Sequence, residues 1–326
     1  MAATVTAAPA KRERNQRRQE MFWGYGFTSI WVVGFIIFSA VPLFLALYLS
    51  FTDWNPIRGP FWNAHLNGLH NYETFLQDRR YWHAVWNTIY YAVGSVALVN
   101  VLSIPLAMLL NQKLRGINLY RTIAYLPAIM PGVAAVLIFR LIFQPSAGIL
   151  SWFLTKTHIQ CDPTQVTCNP LDWLSNPKLT MPAVIMLSAW GFGQTMLIYL
   201  AGLQGIDASY YEAASIDGAT AWNRFRSITI PLLSPAIFFN IVTGLIGAFQ
   251  EFTKFVIFSG GANGYTGGPS DSLLTLFPYI WEKGYEDNFL GLAIAMAFGL
   301  FVLIGIFTVL NFAGQRRWVF YQEERS

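Results

Sequence analysis

The stretch YYEAASIDGATAWNRFRSITIP, residues 210–231, is a polar island between two long apolar runs. Ser209 stands three positions before Glu212, a capping-box spacing that starts a helix. Gly218 follows where a helix end needs a left-handed residue. The expected helix covers residues 210–217, about two turns. Thr220 is placed to cap a second helix that runs toward Pro231. A short helix, a Gly turn and a second helix make a knob at a membrane surface. Ala213 and Ala214 are small enough to let the knob lie in a partner's groove, and Glu212 offers a carboxylate to a basic group there. Gripped by a moving partner, such a knob transmits force to the apolar runs on either side. The alternative is an amphipathic interfacial helix with no partner. It explains the caps but not the joint spacing of Glu212, Gly218, Ile228 and Pro231.

The apolar runs are long and there are six of them. Charge-free windows cover residues 21–52, 81–112, 122–139, 179–206, 227–250 and 288–315. About 20 apolar residues cross the hydrocarbon core as a helix, so each window holds one span. Barrel strands of about ten alternating residues are far shorter. The predicted fold is an all-α polytopic membrane protein with six transmembrane helices and a cytoplasmic coupling helix between spans four and five. Composition agrees: 12% of residues are charged, against about 25% in soluble domains, and the 12 Trp suit interfacial anchoring.

The spans are expected near residues 30–49, 85–110, 123–143, 182–203, 232–258 and 289–312. Residues 1–29 then form an N-terminal tail, with 2–10 disordered. Residues 30–314 form the transmembrane domain, with the polar loop at 205–232, and 315–326 form a C-terminal tail. With the N-terminal tail inside, thirteen of the 21 Lys and Arg fall on the inner side. That bias follows the positive-inside rule and places both termini in the cytoplasm. The net charge of +4 is thus a topology signal and gives no nucleic-acid patch. The first window is too long for a signal-peptide core and reads as a retained anchor.

Cys161 and Cys168 both lie in the outer loop between spans three and four. They are either a disulfide closing CDPTQVTC or two free thiols. Their spacing does not suit a zinc site. His65, His70, His83 and His158 are scattered through outer segments and propose no metal centre. No phosphate loop G-x-x-x-x-G-K-[ST], no G-x-S-x-G and no H-E-x-x-H occurs, so the chain is expected to catalyse no covalent step.

Residues 212–231 match E-A-A-x-x-x-G-x(9)-I-x-L-P, with Ile230 where Leu is usual. The match resembles the EAA loop of permease subunits of binding-protein-dependent ABC importers. Two further stretches resemble the carbohydrate branch of that family. One is Gly68-Leu69-His70-Asn71-Tyr72 with Asp78, Ala84, Asn87 and Thr88. The other is Gly267-Gly268-Pro269 with Tyr279, Gly291, Ala293 and Ala295. The resemblance covers roughly residues 68–313. GANGYT, residues 261–266, lengthens the third outer loop beyond the family's pattern. The resemblance implies a bacterial or archaeal inner-membrane chain that pairs with a second permease subunit. It implies two ATP-binding subunits that carry the ATP and Mg and grip Glu212, Ala213, Ala214 and Gly218. It implies an extracytoplasmic solute-binding protein, a sugar substrate and alternating access by rigid-body motion.

Polar groups inside spans are costly and tend to face a cavity or a partner. The substrate-path candidates are Gln194, Asn240, Gln250, Glu251 and Lys254, with Trp190, Phe192, Phe249 and Phe252 able to stack on sugar faces. Each has a plain structural alternative. Glu251 and Lys254 can pair at i and i+3, Asn240 can bridge helices, and aromatics in spans usually pack. Residues 259–268, SGGANGYTGG, are either a contact for the binding protein or a flexible loop. Three functional readings stand: a sugar permease, a permease for glycerol phosphate or another polar solute, and an ion-coupled secondary transporter. The last calls for broken midplane helices and inverted repeats, and neither is evident in the sequence.

Overall fold

The computed structural model describes residues 10–112, 115–145, 148–156, 172–260 and 267–320. The cysteines, His158 and the inserted GANGYT lie outside these residues. Among the described residues the chain is helical, with a single isolated β-bridge, Thr52 to Leu66.

Span one is α1 (Ala10–Phe35), a π-turn (Ile36–Ala40) and α2 (Val41–Leu49). The helix begins at Ala10, well before the expected start at 30. None of its apolar window is buried in this chain; only its last turn, at Leu49, meets the core. After α3 (His70–Gln77) comes span two, α4 (Arg79–Leu110). Asp78 starts α4, its side chain accepting from the Arg80 amide at 2.8 Å.

Span three departs from expectation. It is α5 (Ile117–Ile129) and α6 (Gly132–Ile142), bent by 93° at the break. Met130 takes an extended backbone before Pro131, as the proline ring demands of its predecessor. Five helices are long and apolar enough to span, or six if this bent pair counts as one. After α7 (Ile149–Lys156), span four is α8 (Thr180–Ser188) and α9 (Phe192–Gln204), joined by a single tight turn. Next come α10 (Ala208–Ile216) and α11 (Ala221–Arg224) in the polar island.

Span five, α12 (Ile230–Phe249), ends nine residues before its expected end at 258. A separate helix, α13 (Thr253–Phe258), follows and packs on α6. The reason is local. The Glu251 side chain accepts from the Lys254 amide at 3.2 Å, in the first turn of α13. After α14 (Leu276–Trp281), span six is α15 (Leu290–Gln315).

Spans two, four and five form the centre, α4 packing on α8, α9 and α12. Small side chains permit this close approach. Ala84, Ala92, Ala183 and Ala295 are wholly buried, while Phe301, Val309 and Leu310 point outward, as lipid-facing residues do. Inter-segment bonds define two ends. At one, Thr180 on span four meets Ser272 at 2.9 Å, and the Gly291 amide donates to Trp54 O at 3.1 Å. At the other, the Phe320 amide donates to Ser234 Oγ at 2.8 Å. Ser234 Oγ also donates to Pro231 O at 2.6 Å, a carbonyl that Pro235, lacking N–H, leaves without its usual partner.

Candidate functional site

The island folds into the expected knob with a different cap. Asp207, in extended conformation, accepts from the Ser209 amide at 2.9 Å and starts α10. Ser209 is therefore inside the helix and the Ser209–Glu212 capping box does not form, because an equally good acceptor stands two residues earlier. That same amide holds the Asp207 carboxyl below its ordinary range. Gly218 sits at φ +73°, as a left-handed helix end requires, and Ala219 N bonds to Ala214 O at 2.9 Å. Thr220 caps α11 through the Asn223 amide at 3.3 Å. Tyr211 OH and Thr229 Oγ1 lie 3.0 Å apart, and Arg224 donates to Ser215 Oγ at 3.0 Å. These bonds tie the knob to the foot of span five. Glu212, Ala213 and Gly218 are exposed, and Ala214 is half-buried.

The second arm does not stop at Pro231. Helix runs unbroken from Ala221 through a π-turn at Phe225–Thr229 to Phe249, with Pro231 in the first turn of α12, where its missing N–H is harmless. A push on the knob is thereby a push on span five. The knob also exposes Ile216, Trp222 and Tyr210, a hydrophobic surface absent from the expected contact set.

Between spans two, four and five lies a cavity of about 320 Å³. Three of the substrate-path candidates, Asn240, Glu251 and Lys254, line it. So do Tyr91, Ser95, Asn100, Ser188 and Thr195, which the sequence reading passed over. Part of their signal was present: Tyr91 and Ser95 stand at i and i+4, on one face of span two. One end of the cavity is charged. Lys254 Nζ lies 2.8 Å from Glu251 Oε2 and 3.1 Å from Tyr91 OH, and Tyr91 OH lies 3.0 Å from Ser188 Oγ. The other end is an amide floor. The wholly buried Tyr199 donates to Asn100 Oδ1. Each tie is centred on a tyrosine and joins spans two and four.

The remaining candidates lie elsewhere. Gln194 and Gln250 are exposed outside the lining. Phe249 is 1% exposed and packs on Phe307 at 5.0 Å between ring centres, a core position. Trp190 packs edge-on against Phe139 at 5.4 Å. Phe192 joins the core near the knob, and Phe252 packs on Phe277 and Trp281.

The two stretches with carbohydrate-branch resemblance meet each other. Tyr279 donates to Asp78. Asn87 donates to Asp271 O and Leu274 O at 2.9 Å each, and Thr88 Oγ1 accepts from the Leu276 amide at 2.9 Å. Gly291 lies so close to Thr52 that a Cβ would stand 2.2 Å from its carbonyl oxygen. Arg80 adds a bidentate pair with Asp271 and a second pair with Glu282. These residues build a polar cap at the end opposite the knob. His83 joins it through Asp271 O at 3.2 Å. Among the described residues no three His, Cys, Asp or Glu gather into a metal site.

Residues 99–318 match the family described as binding-protein-dependent transport system inner membrane component. The probable ABC transporter permease protein YesP of Bacillus subtilis (strain 168) is 36% identical, over 99% of this chain and 100% of its own length. The lactose transport system permease protein LacF of Rhizobium radiobacter is 30% identical, over 90% and 94%. Among solved structures, a chain of a bacterial ABC transporter involved in import of the acidic polysaccharide alginate is 21% identical. It superposes with TM-score 0.75 over 94% of this chain and 99% of its own, a likeness of fold. The six-span reading, the knob and these matches agree that the chain belongs to the binding-protein-dependent ABC transporter permeases, inner-membrane components of import systems.

Proposed function

We propose that the chain is the transmembrane permease subunit of an ABC importer for a sugar or oligosaccharide. The observation that carries this is a hydroxyl- and amide-lined cavity among three spans, one of which is a rigid extension of the exposed knob. Hydroxyls of Tyr91, Ser95, Ser188 and Thr195 and the amides of Asn100 and Asn240 suit sugar hydroxyls. The cavity's cation is paired with its carboxylate, so it offers no spare positive charge. That disfavours glycerol phosphate as the solute. Relatives are named for lactose and for arabinooligosaccharide transport, in keeping with a saccharide. The bend in span three is a broken helix of the kind secondary transporters use, but membership of the ABC permease family removes that reading.

In the proposed cycle two ATP-binding subunits, carrying ATP and Mg, grip the knobs of this chain and of a second permease subunit. ATP binding closes them, span five moves with its knob, and one tyrosine tie opens as the other closes. Hydrolysis resets the cavity inward. The unpacked flank of span one leaves a face for the second subunit or lipid. An extracytoplasmic solute-binding protein delivers substrate at the capped end. The C-terminal segment docks at the knob end, which supports cytoplasmic termini. The chain itself catalyses no step. Reconstitution of the four-subunit assembly tests the proposal: saccharide-loaded binding protein is expected to raise ATP hydrolysis, and Thr195→Val together with Ser95→Ala to raise the KM for uptake. Uptake indifferent to both lining changes rejects the cavity as the path.

A further inference from the structure

A second cleft lies at the capped end, apart from the cavity among the spans. Two adjoining hollows, of about 340 and 370 Å³, share Asp53, Trp54, Asn55 and Arg58. Each is within the size of small-ligand pockets, and together they offer an elongated trough. The loop that forms it is held in place. His65 N donates to Asp53 Oδ1 at 2.8 Å, Asp53 N to His65 O at 3.0 Å, and Asn67 N to Phe51 O at 2.9 Å. Trp54 is fixed by its indole N–H on Gly59 O at 3.3 Å and by the Gly291 amide on its carbonyl.

Charge makes the trough selective. Arg58 lines both hollows and forms no ion pair among the described residues. Lys283 lines one hollow, with its charge already paired to Asp287 at 2.6 Å, which leaves Arg58 as the spare cation. Asp53 is the one acid in either lining, and His65 N already occupies one of its oxygens. An unpaired guanidinium presents a planar fork of donors that matches a carboxylate. An aromatic wall with flanking amides, Trp54 with Asn55, suits a sugar ring. We propose that this trough is a second saccharide site, for an oligosaccharide bearing carboxylates of the uronate type, with Arg58 reading the carboxylate. Unlike the cavity, whose one cation is paired, it has a spare cation, so the two sites differ in the charge they recognise. The site goes beyond the proposed transport role and does not depend on it.

Calorimetric titration of the full chain in uncharged-lipid nanodiscs tests it, with trigalacturonate, maltotriose and glycerol 3-phosphate as probes. Trigalacturonate is expected to bind, and Arg58→Gln to weaken it about tenfold or more, as loss of one charge-assisted pair does. Arg58 is exposed, so the variant keeps its fold. Val309→Ala, on the outward face of span six, is expected to leave trigalacturonate affinity unchanged. Absence of trigalacturonate binding at millimolar concentration overturns the proposal. So does equal affinity in Arg58→Gln. Tighter Arg58-dependent binding of glycerol 3-phosphate overturns the saccharide assignment in favour of a phospholipid headgroup. If the trough fails while saccharide still stimulates ATP hydrolysis in the assembly, the transport role stands without it.

Discussion

Lys254 and Glu251 stand three positions apart, and their 2.8 Å ion pair closes the charged end of the cavity. The pair also sets the backbone. Glu251 accepts from the Lys254 amide in the first turn of α13, so one carboxylate holds the turn after span five and pairs the one cation in the cavity lining. The lysine reaches on to Tyr91 of span two at 3.1 Å, across the helix boundary. Because both side chains are partly exposed, removing either partner alone is expected to cost about 1–3 kcal/mol, below the figure for a fully buried pair. The double change Glu251→Gln with Lys254→Met is expected to cost less than the sum of the single changes. Thermal melts of the four proteins in detergent give the coupling directly. Additive losses contradict a functional pair.

At the other end, Tyr199→Phe removes one hydroxyl that serves Asn100. Loss of a buried hydrogen bond costs about 1–2 kcal/mol, so the fold survives. The expected consequence is a loosened floor: ATP hydrolysis by the assembly without binding protein rises, while the KM for uptake rises severalfold. Basal hydrolysis equal to wild type says that the floor is not a gate.

Gly218 has no atom within 4 Å of a would-be Cβ, but its φ is +73°. Strain, and not crowding, opposes substitution there. Gly218→Val is expected to cost about 1–2 kcal/mol locally and to reduce capture of the ATP-binding subunit. Gly218→Asn is expected to be nearly silent, since Asn tolerates the left-handed region. Equal loss in both variants contradicts the backbone explanation.

Burial pushes the Tyr279 hydroxyl above its ordinary range, and its bond to Asp78 adds to the rise. A group whose folded value is raised contributes stability fully below its unfolded value, about 10 for tyrosine, and loses it as pH climbs through the folded value. The stability gap between wild type and Tyr279→Phe is therefore expected to be flat, at about 1–2 kcal/mol, from about pH 6 to about pH 9. Melts across that range check it. A gap that closes by pH 9 shows that the tie is not a protonated tyrosine on a carboxylate.

Spans two, four and six were legible because charge-free windows of about 28 residues bracket them. The knob was legible because Gly218 and Thr220 each have one conformational use. What escaped had physical causes. Pro131 was read through, although a proline after Met130 forces extended backbone, and span three breaks there. Asp207 and Ser209 are both good caps, and sequence did not rank them. The Glu251–Lys254 pairing was legible from the i, i+3 spacing, but not that the same carboxylate accepts from the Lys254 amide. Phe249 and Asn240 share a span but not a face, and only Asn240 lines the cavity. Asp78 and Tyr279 are 201 residues apart, so nothing local announced that two motif stretches form one cap.

The most direct measurement is a pull-down of the solubilised chain co-expressed with its operon's ATP-binding subunit, wild type beside Glu212→Lys and Gly218→Val. The knob reading predicts that wild type captures the subunit and that both variants capture markedly less while melting close to wild type. Undiminished capture by Glu212→Lys and Gly218→Val contradicts the knob as the point of grip.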